Sequence, residues 1–315
     1  MRVSVVIPCY RSADTLPALV HRLTGVLEGS AAAHEIVLVV DGSPDHTGPV
    51  AAGLAEGDAR IRTIELSRNY GQHNAILAGV RAVRYPTVVT MDDDLQHPPE
   101  EVPKLLDALT DEVDLVYGVP VEDEHGRFRN WASRSVKAAM TRGLGIENAR
   151  SISAFRAFRT FLRDGFVGLT GPHASVDVAL SWSTKRVTTQ FVRMDSRAEG
   201  RSNYSFRLLV RHAVNMLLGY SAAPLRLVGY LGLLCGLLGV GLLAYVLVSF
   251  LTGYTTEPGF TMLASMVAIF SGAQMLAIAI VGEYVGRVHA GNMGRPTYVI
   301  REGLTDPTGA PRPDA

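Results

Sequence analysis

From Leu227 to Leu251 the chain runs for 25 residues without a charged side chain, and from Phe260 to Gly282 for another 23. Coiled as an α-helix at about 1.5 Å per residue, either stretch spans the roughly 30 Å hydrocarbon core of a bilayer. A buried helix of a soluble domain would be shorter and would show a polar stripe, so the pair predicts two transmembrane helices. The connection between them, Thr252 to Gly259, carries one charge, Glu257, and is too short to hold a domain. Arg207, Arg211 and Arg226 precede the first stretch, and Arg287, Arg295 and Arg301 follow the second. Basic residues favour the cytoplasmic side of membrane helices. Both long ends are therefore expected in the cytoplasm, with the protein integral to the cytoplasmic (inner) membrane.

The N-terminal part has a different rhythm. Val3 to Ile7, Ile36 to Val40, Ile61 to Leu66, Thr87 to Met91 and Leu115 to Val119 are short apolar runs of the kind that form strands covered on both faces. Between them, Leu16, Leu19, Val20, Leu23, Val26 and Leu27 share one helical face. A second helix is expected from Gln72 to Arg84, where Ala75, Ala78 and Gly79 permit close packing. Strands alternating with helices predict an α/β fold with a doubly wound, largely parallel sheet, which binds ligands beyond the carboxyl ends of its strands. Pro8 to Tyr10, Asp41 to Ser43, Arg68 to Asn69 and Asp92 to Gln96 all fall at such ends. No Gly-x-Gly-x-x-Gly follows the first strand, which disfavours a dinucleotide-binding domain.

The richest of these ends is Val88-Val89-Thr90-Met91-Asp92-Asp93-Asp94-Leu95-Gln96-His97-Pro98-Pro99-Glu100. Alternate residues of a strand share a face, so Asp92 and Asp94 are expected to point one way and Asp93 the other. Pro99 suits the first turn of a helix with Val102, Leu105, Leu106 and Leu109 inward and Glu100 and Glu101 at its positive end. Carboxylates and an amide, with no cysteine nearby and His97 as the one nitrogen donor, make an oxygen-rich site suited to Mg²⁺ or Mn²⁺. The competing reading is a solvated acidic turn.

Lys and Arg balance Asp and Glu at 30 each, so no global field draws the protein to nucleic acid, and none is expected as a partner. Cys9 and Cys235 lie in a predicted strand and a predicted span, which points to free thiols and a reducing compartment. The N-terminus reads as a buried strand and lacks the apolar core and cleavage site of a signal peptide.

The series Val-Val-Ile-Pro-Cys-Tyr at residues 5–10, Asp41-Gly42-Ser43, Arg68-Asn69-Tyr70-Gly71 and Asp92-x-Asp94-Leu95-Gln96-x-Pro98-Pro99-Glu100 resembles the family 2 glycosyltransferases of the GT-A fold. With its two C-terminal spans, the chain is similar to their polyprenyl-phosphate branch, which includes dolichol-phosphate mannose synthase and the bacterial undecaprenyl-phosphate sugar transferases. The resemblance implies an inverting transfer of a sugar from a nucleotide-diphosphate sugar to a membrane polyprenyl phosphate. It places Pro8, Tyr10, Asp41, Arg68 and Asp92 on the donor side and makes Asp94 and Gln96 the metal ligands, Asp94 being catalytic in that role. The sequence also departs from the pattern. Val40 stands where a further aspartate often precedes Asp-Gly-Ser, Arg11-Ser12 replace an Asn-Glu pair, and Ala154 precedes Phe155-Arg156 where many relatives carry an acid. Asp177 is then the best remaining carboxylate to act on the acceptor, the alternative being a structural partner for a neighbouring arginine.

Between Arg127 and Arg163 stand nine basic residues, Arg127, Arg129, Arg134, Lys137, Arg142, Arg150, Arg156, Arg159 and Arg163, against the single acid Glu147. Such a local field suits a phosphorylated or membrane-surface partner, although for any one arginine a solvated helix face is the simpler reading. Arg129, Arg134 and Ser135 resemble the acceptor-phosphate contacts most closely. The loop from Arg197 through Arg201 to Ser205 resembles the arginine, glycine, serine and tyrosine loop that precedes the family's interfacial helices. A loop of this composition can donate to a pyrophosphate, with Arg197 or Arg201 as charge-assisted partner, the alternative being an ordinary flexible connector. Phe206 to Tyr220 mixes apolar and basic residues as an interfacial helix does. The expected organisation is a cytoplasmic GT-A domain over 1–202, juxtamembrane helices over 203–225, a membrane hairpin over 226–288 and a cytoplasmic tail over 289–315. Gly232-x-x-x-Gly236 and Gly282-x-x-x-Gly286 permit close helix contact, within the chain or in a homo-oligomer. Two other functions compete. Transfer to a polysaccharide or protein acceptor is disfavoured because the Gln-x-x-Arg-Trp motif of processive synthases is missing; Gln190-Phe191-Val192-Arg193-Met194 ends without the tryptophan. A non-catalytic membrane-anchored binding protein is disfavoured by the intact Asp92, Asp94 and Gln96.

Overall fold

The computed structural model describes residues 1–120, 152–166, 175–195, 223–252, 259–294 and 296–301. These fall into two compact units, one made of the described residues up to 195 together with those from 294 onward, the other of residues 223–252 and 259–293.

In the first unit, strands β1 (Arg2–Cys9), β2 (Ala33–Val40), β3 (Ile61–Glu65), β4 (Thr87–Thr90), β5 (Leu115–Pro120), β6 (Arg156–Arg159) and β7 (Val187–Val192) form one sheet in the order β3-β2-β1-β4-β6-β5-β7. Neighbours from β3 to β4 are parallel, as are β5 and β7, whereas β6 runs antiparallel to both β4 and β5. The sheet is largely parallel, as the sequence predicts, and β6 alone makes it mixed. Strands β6 and β7 carry too few consecutive apolar residues to announce themselves, and their pairing with stronger neighbours makes them strands.

Alternation along β1 and β2 sets the layers. Val3, Val5 and Ile7 with Ile36, Leu38 and Val40 face one side, where helix α1 (Leu16–Ser30) brings Leu16, Leu19, Leu23 and Leu27. Val6, Val37 and Val39 face the other, where α3 (Gln72–Ala82) follows α2 (Thr47–Gly57) in the chain. At Gly79 of α3 a Cβ would stand 2.3 Å from Val6 Cγ1, so the helix lies too close to the sheet for any larger residue. Helices α4 (Val102–Ala108) and α5 (Val176–Ser183) complete the two layers. Helix α2 escaped the sequence reading because it buries little beyond Thr47 and Ala51. At the opposite end from the crevice described below, the buried Glu35 accepts Ser4 Oγ at 2.7 Å, the Arg84 N–H at 2.7 Å and Arg62 Nη1 at 3.1 Å, tying three strands to the end of α3.

The second unit is a pair of long helices, α6 (Ala223–Leu251) and α7 (Gly259–Asn292). They approach at Gly239, where a Cβ would lie 3.7 Å from Phe270 Cζ. Large apolar side chains, among them Leu233, Leu237, Ile269 and Met275, are exposed along them. Among the described residues one window, Ile269–Gly286 of α7, is long and apolar enough to cross a membrane; the apolar core of α6, Val228–Gly241, is shorter. A Cβ added at Gly232, Gly236, Gly282 or Gly286 would meet nothing within 4 Å among the described residues.

Candidate active site

Four loops meet at the carboxyl ends of β1, β2, β3 and β4 around a crevice of about 650 Å³, lined by residues of the 8–12 and 92–94 segments together with Thr15, Asp41, Asn69, Gly71 and Gln72. Each wall is held by side chains that bond across to another loop. Strand β4 stops at Thr90, so the three aspartates leave the two-fold alternation of a strand and all of them line the crevice. This corrects the expectation that Asp93 faces away. Asp93 Oδ2 accepts the Tyr10 N–H at 3.0 Å, and its carbonyl accepts Thr15 Oγ1 at 2.9 Å, welding the end of β4 to the segment after β1. Burial raises its carboxyl above the ordinary range, against the N–H of Tyr10 and the hydroxyl of Ser12, which lower it. Asp92 Oδ1 accepts Gln72 Nε2 at 2.6 Å from the start of α3. Asp94 Oδ1 accepts the Gln96 N–H at 3.1 Å, closing a tight turn in which Leu95 takes the left-handed region at φ 60°. A non-glycine residue in that region stores strain, a feature that clusters at functional sites.

The Asp41-Gly42-Ser43 turn supplies the adjoining wall. Asp41 is buried, and its two oxygens accept the N–H groups of Tyr70 at 2.7 Å and Gly71 at 2.8 Å. Burial raises its carboxyl; the two N–H donors oppose that rise. Gly42 sits at φ 55°, and a Cβ there would lie 2.2 Å from the backbone carbon of Arg68, so glycine is what lets the β2 and β3 loops touch. Ser43 Oγ accepts the Arg11 N–H at 2.8 Å and donates to Asp45 at 2.6 Å, while Thr47 Oγ1 accepts the Ser12 N–H at 3.0 Å and donates to the same Asp45 oxygen at 2.7 Å. The Ser43 and Thr47 donors outweigh the burial of Asp45 and hold its carboxyl at about 2.

Of the positions expected on the donor side, Pro8, Tyr10, Asp41 and Asp92 line the crevice, and Arg68 does not. The Arg68 guanidinium lies over the Tyr70 ring at 4.5 Å. Of the expected metal ligands Asp94 lines the crevice and Gln96 does not; the Gln96 carbonyl accepts the Asp195 N–H at 2.9 Å. His97 is buried and stacked on Phe155 with ring centroids 5.0 Å apart, and burial lowers its pKa, as befits a packing residue. Arg129, Arg134, Ser135, Arg197 and Arg201, with the segment 206–220, lie outside the described residues.

The basic stretch looks different in three dimensions. Arg156 is fully buried: its Nε donates to Thr90 Oγ1 at 3.1 Å, its Nη1 donates to Asp177, and it bonds the Tyr117 hydroxyl. Desolvation lowers its pKa, opposed by Tyr117 and by the field of Asp92. Arg159 caps the carbonyls of Leu109 and Thr110, and Arg163 donates to the carbonyl of Val83. These three arginines hold the fold together, which corrects their reading as a solvated or phosphate-seeking face. Asp177, in the first turn of α5, is the partner of Arg156, the structural role weighed above against a catalytic one. Asp93, Gln72 and Arg156 build the site through contacts between segments distant in the chain, which no local pattern announces.

Residues 4–168 match the family described as Glycosyl transferase family 2. The chain is 31% identical over 315 residues to an undecaprenyl-phosphate 4-deoxy-4-formamido-L-arabinose transferase of Pseudomonas fluorescens, covering 99% of this chain and 92% of that protein. A protein of the same description from Sodalis glossinidius is 33% identical over 303 residues, covering 95% and 93%. Among solved structures, glucosyl-3-phosphoglycerate synthase from Mycobacterium tuberculosis, in complex with Mn²⁺, UDP and glucosyl-3-phosphoglycerate, aligns with a TM-score of 0.53 at 17% identity over 70% of this chain and 80% of that one, a likeness of fold.

Proposed function

Because the chain belongs to glycosyl transferase family 2, a family of sugar-transferring enzymes, we propose that it transfers a sugar from a nucleotide-diphosphate sugar to the phosphate of a membrane polyprenol, with inversion at the anomeric carbon. The observation that carries this reading is likeness along nearly the whole chain, helices included, to undecaprenyl-phosphate sugar transferases, joined to a crevice with three carboxylates at the end of β4.

The lining of the crevice supports a division of roles in this reading. Pro8, Tyr10 and Asp41 would form the wall for the nucleoside, and Asp92, held by Gln72, would lie on the diphosphate side. Asp94, backed by Gln96, would hold Mg²⁺ or Mn²⁺. The donor set fits such an ion because it is all oxygen, and substrate phosphate and water would complete the coordination. When bound, the ion neutralises charge on the departing nucleotide diphosphate. A phosphate monoester is already anionic near neutral pH, so the acceptor oxygen attacks the anomeric carbon as the bond to the donor phosphate breaks, and no strong general base is required. Asp177 then serves through Arg156. Arg129, Arg134, Ser135, Arg197 and Arg201 are assigned to the acceptor phosphate and pyrophosphate.

A polyprenyl tail cannot leave the bilayer without exposing many CH₂ groups at about 0.8 kcal/mol each. The enzyme must come to it. We assign α6 and α7 to two membrane spans that keep the catalytic unit and both termini on the cytoplasmic side, with residues 203–225 in the interface. The test is a panel of nucleotide sugars offered to purified full-length protein with undecaprenyl phosphate and Mg²⁺ or Mn²⁺. One donor should label the lipid fraction, and Asp94→Asn or excess chelator should abolish the label. Lipid labelling that persists undiminished in Asp94→Asn would overturn the metal assignment, and no lipid labelling from any donor would overturn the function.

A further inference from the structure

The chain that leaves α7 does not trail away. Beyond Gly294, residues 296–301 lie along the outer edge of the first unit's sheet, beside β3. Ile300 bridges antiparallel to Leu66, the Ser67 N–H donates to the Val299 carbonyl at 2.8 Å, and the Arg301 N–H donates to the Glu65 carbonyl at 2.9 Å. Arg301 Nη1 also pairs with the Glu65 carboxylate at 2.8 Å. Thr297 is buried, and the Tyr298 ring packs against the α3 layer with the Arg81 guanidinium 5.6 Å from its centroid. A strand edge left open is a liability, and here the chain's own tail covers it.

The covered edge leads directly into the crevice. The segment held by Val299 begins with Ser67, and the Val299 backbone also bonds the Tyr70 hydroxyl, which lies 3.1 Å from Ser67 Oγ. The N–H groups of Tyr70 and Gly71 in turn clamp both oxygens of Asp41, and Gln72, the next residue, holds Asp92. Between the tail and two crevice carboxylates there is thus one short segment, residues 66–72, gripped from both sides.

We propose that residues 297–301 are a positioning strap for the donor site, with Tyr298 as its anchor: the β3–α3 loop takes its donor-binding shape when the tail emerging from α7 is seated on the β3 edge. The strap touches no substrate, and its role rests on the reading of the crevice as the donor site. Seating would fix the loop before the nucleotide arrives, sparing the donor the cost of ordering it.

Purified full-length Tyr298→Ala, Tyr298→Phe and Asp94→Asn are compared with the wild type by steady-state kinetics in donor and acceptor, and by amide hydrogen exchange. In Tyr298→Ala the donor KM should rise about tenfold, with kcat and acceptor KM within about threefold, and exchange should accelerate at Ser67, Tyr70 and Gly71. Tyr298→Phe, which keeps the ring, should restore both. Unchanged donor KM in Tyr298→Ala, whether or not exchange accelerates, overturns the strap, as does a parallel loss in donor KM, acceptor KM and kcat that marks general unfolding. Should Tyr298→Ala not fold, Arg301→Pro, which removes the N–H given to Glu65, carries the same expectation. The underlying reading fails separately: lipid labelling undiminished in Asp94→Asn would displace the donor site itself, whereas a dead Asp94→Asn beside an unaffected Tyr298→Ala sinks the strap alone.

Discussion

Replacing Gly42 by alanine tests whether contact between two loops builds the crevice. The residue sits at φ 55°, where a side chain costs about 1–2 kcal/mol. The new Cβ would also meet Arg68 C at 2.2 Å, Arg68 Cα at 2.5 Å and Asn69 N at 2.5 Å, all backbone atoms that no rotamer change can move aside. Forced overpacking of this kind costs about 1–3 kcal/mol. Together these terms predict a loss of about 2–5 kcal/mol of stability, or a displacement of the 68–69 backbone by about 1 Å if the loop yields. A 1 Å misplacement near reacting groups can cost about 100-fold, so kcat/KM for the donor should fall between about tenfold and about 100-fold. Urea unfolding and donor kinetics on the full-length protein measure both terms. Gly48→Ala is the control: its Cβ meets Glu65 Oε2 at 3.6 Å, an ordinary contact at the start of α2, and the change should stabilise by up to about 1 kcal/mol. Gly42→Ala with wild-type stability and donor kinetics would refute the argument that the β2 and β3 loops must touch.

Three further outcomes are expected. Asp177→Asn leaves the buried Arg156 charge without its carboxylate partner, so stability should drop by about 3 kcal/mol while the pH profile of kcat keeps its shape; a profile that loses its acidic limb would return Asp177 to catalysis. Asp45, held at about 2, contributes stability that is present above the ordinary carboxylate value near ~3.9 and is lost as pH falls through its folded value; between pH ~4 and ~2, acid unfolding followed by circular dichroism should be less steep in Asp45→Asn than in the wild type. A reporter fused after Ala315 should report a cytoplasmic location in whole cells, and an external signal would reverse the proposed topology.

Much of the parallel half of the sheet was legible because β1, β2 and β4 are buried on both faces and read as unbroken apolar runs. Their loops could be placed at one end for the same reason. Legibility failed where structure depends on pairing between distant segments. Strand β6 is held by neighbours on both sides, and its Arg156 looks like a surface cation until Thr90, Tyr117 and Asp177 close around it. Strand alternation sends Asp93 to the wrong face because β4 ends at Thr90, three residues before it. The tail after α7 carried no pattern that could reveal its return to β3, since an edge strand of a few residues borrows its register from its partner.

In the proposed reaction the acceptor's phosphate is the nucleophile. The most direct measurement offers purified full-length protein one productive nucleotide sugar with undecaprenyl phosphate or, in parallel, with undecaprenol, and identifies the lipid products by mass. The expected product is a sugar joined to the lipid through the lipid's own single phosphate, with the anomeric configuration inverted from the donor, and the alcohol should give none. Equal turnover of undecaprenol, or retention of configuration in the product, would contradict this reaction.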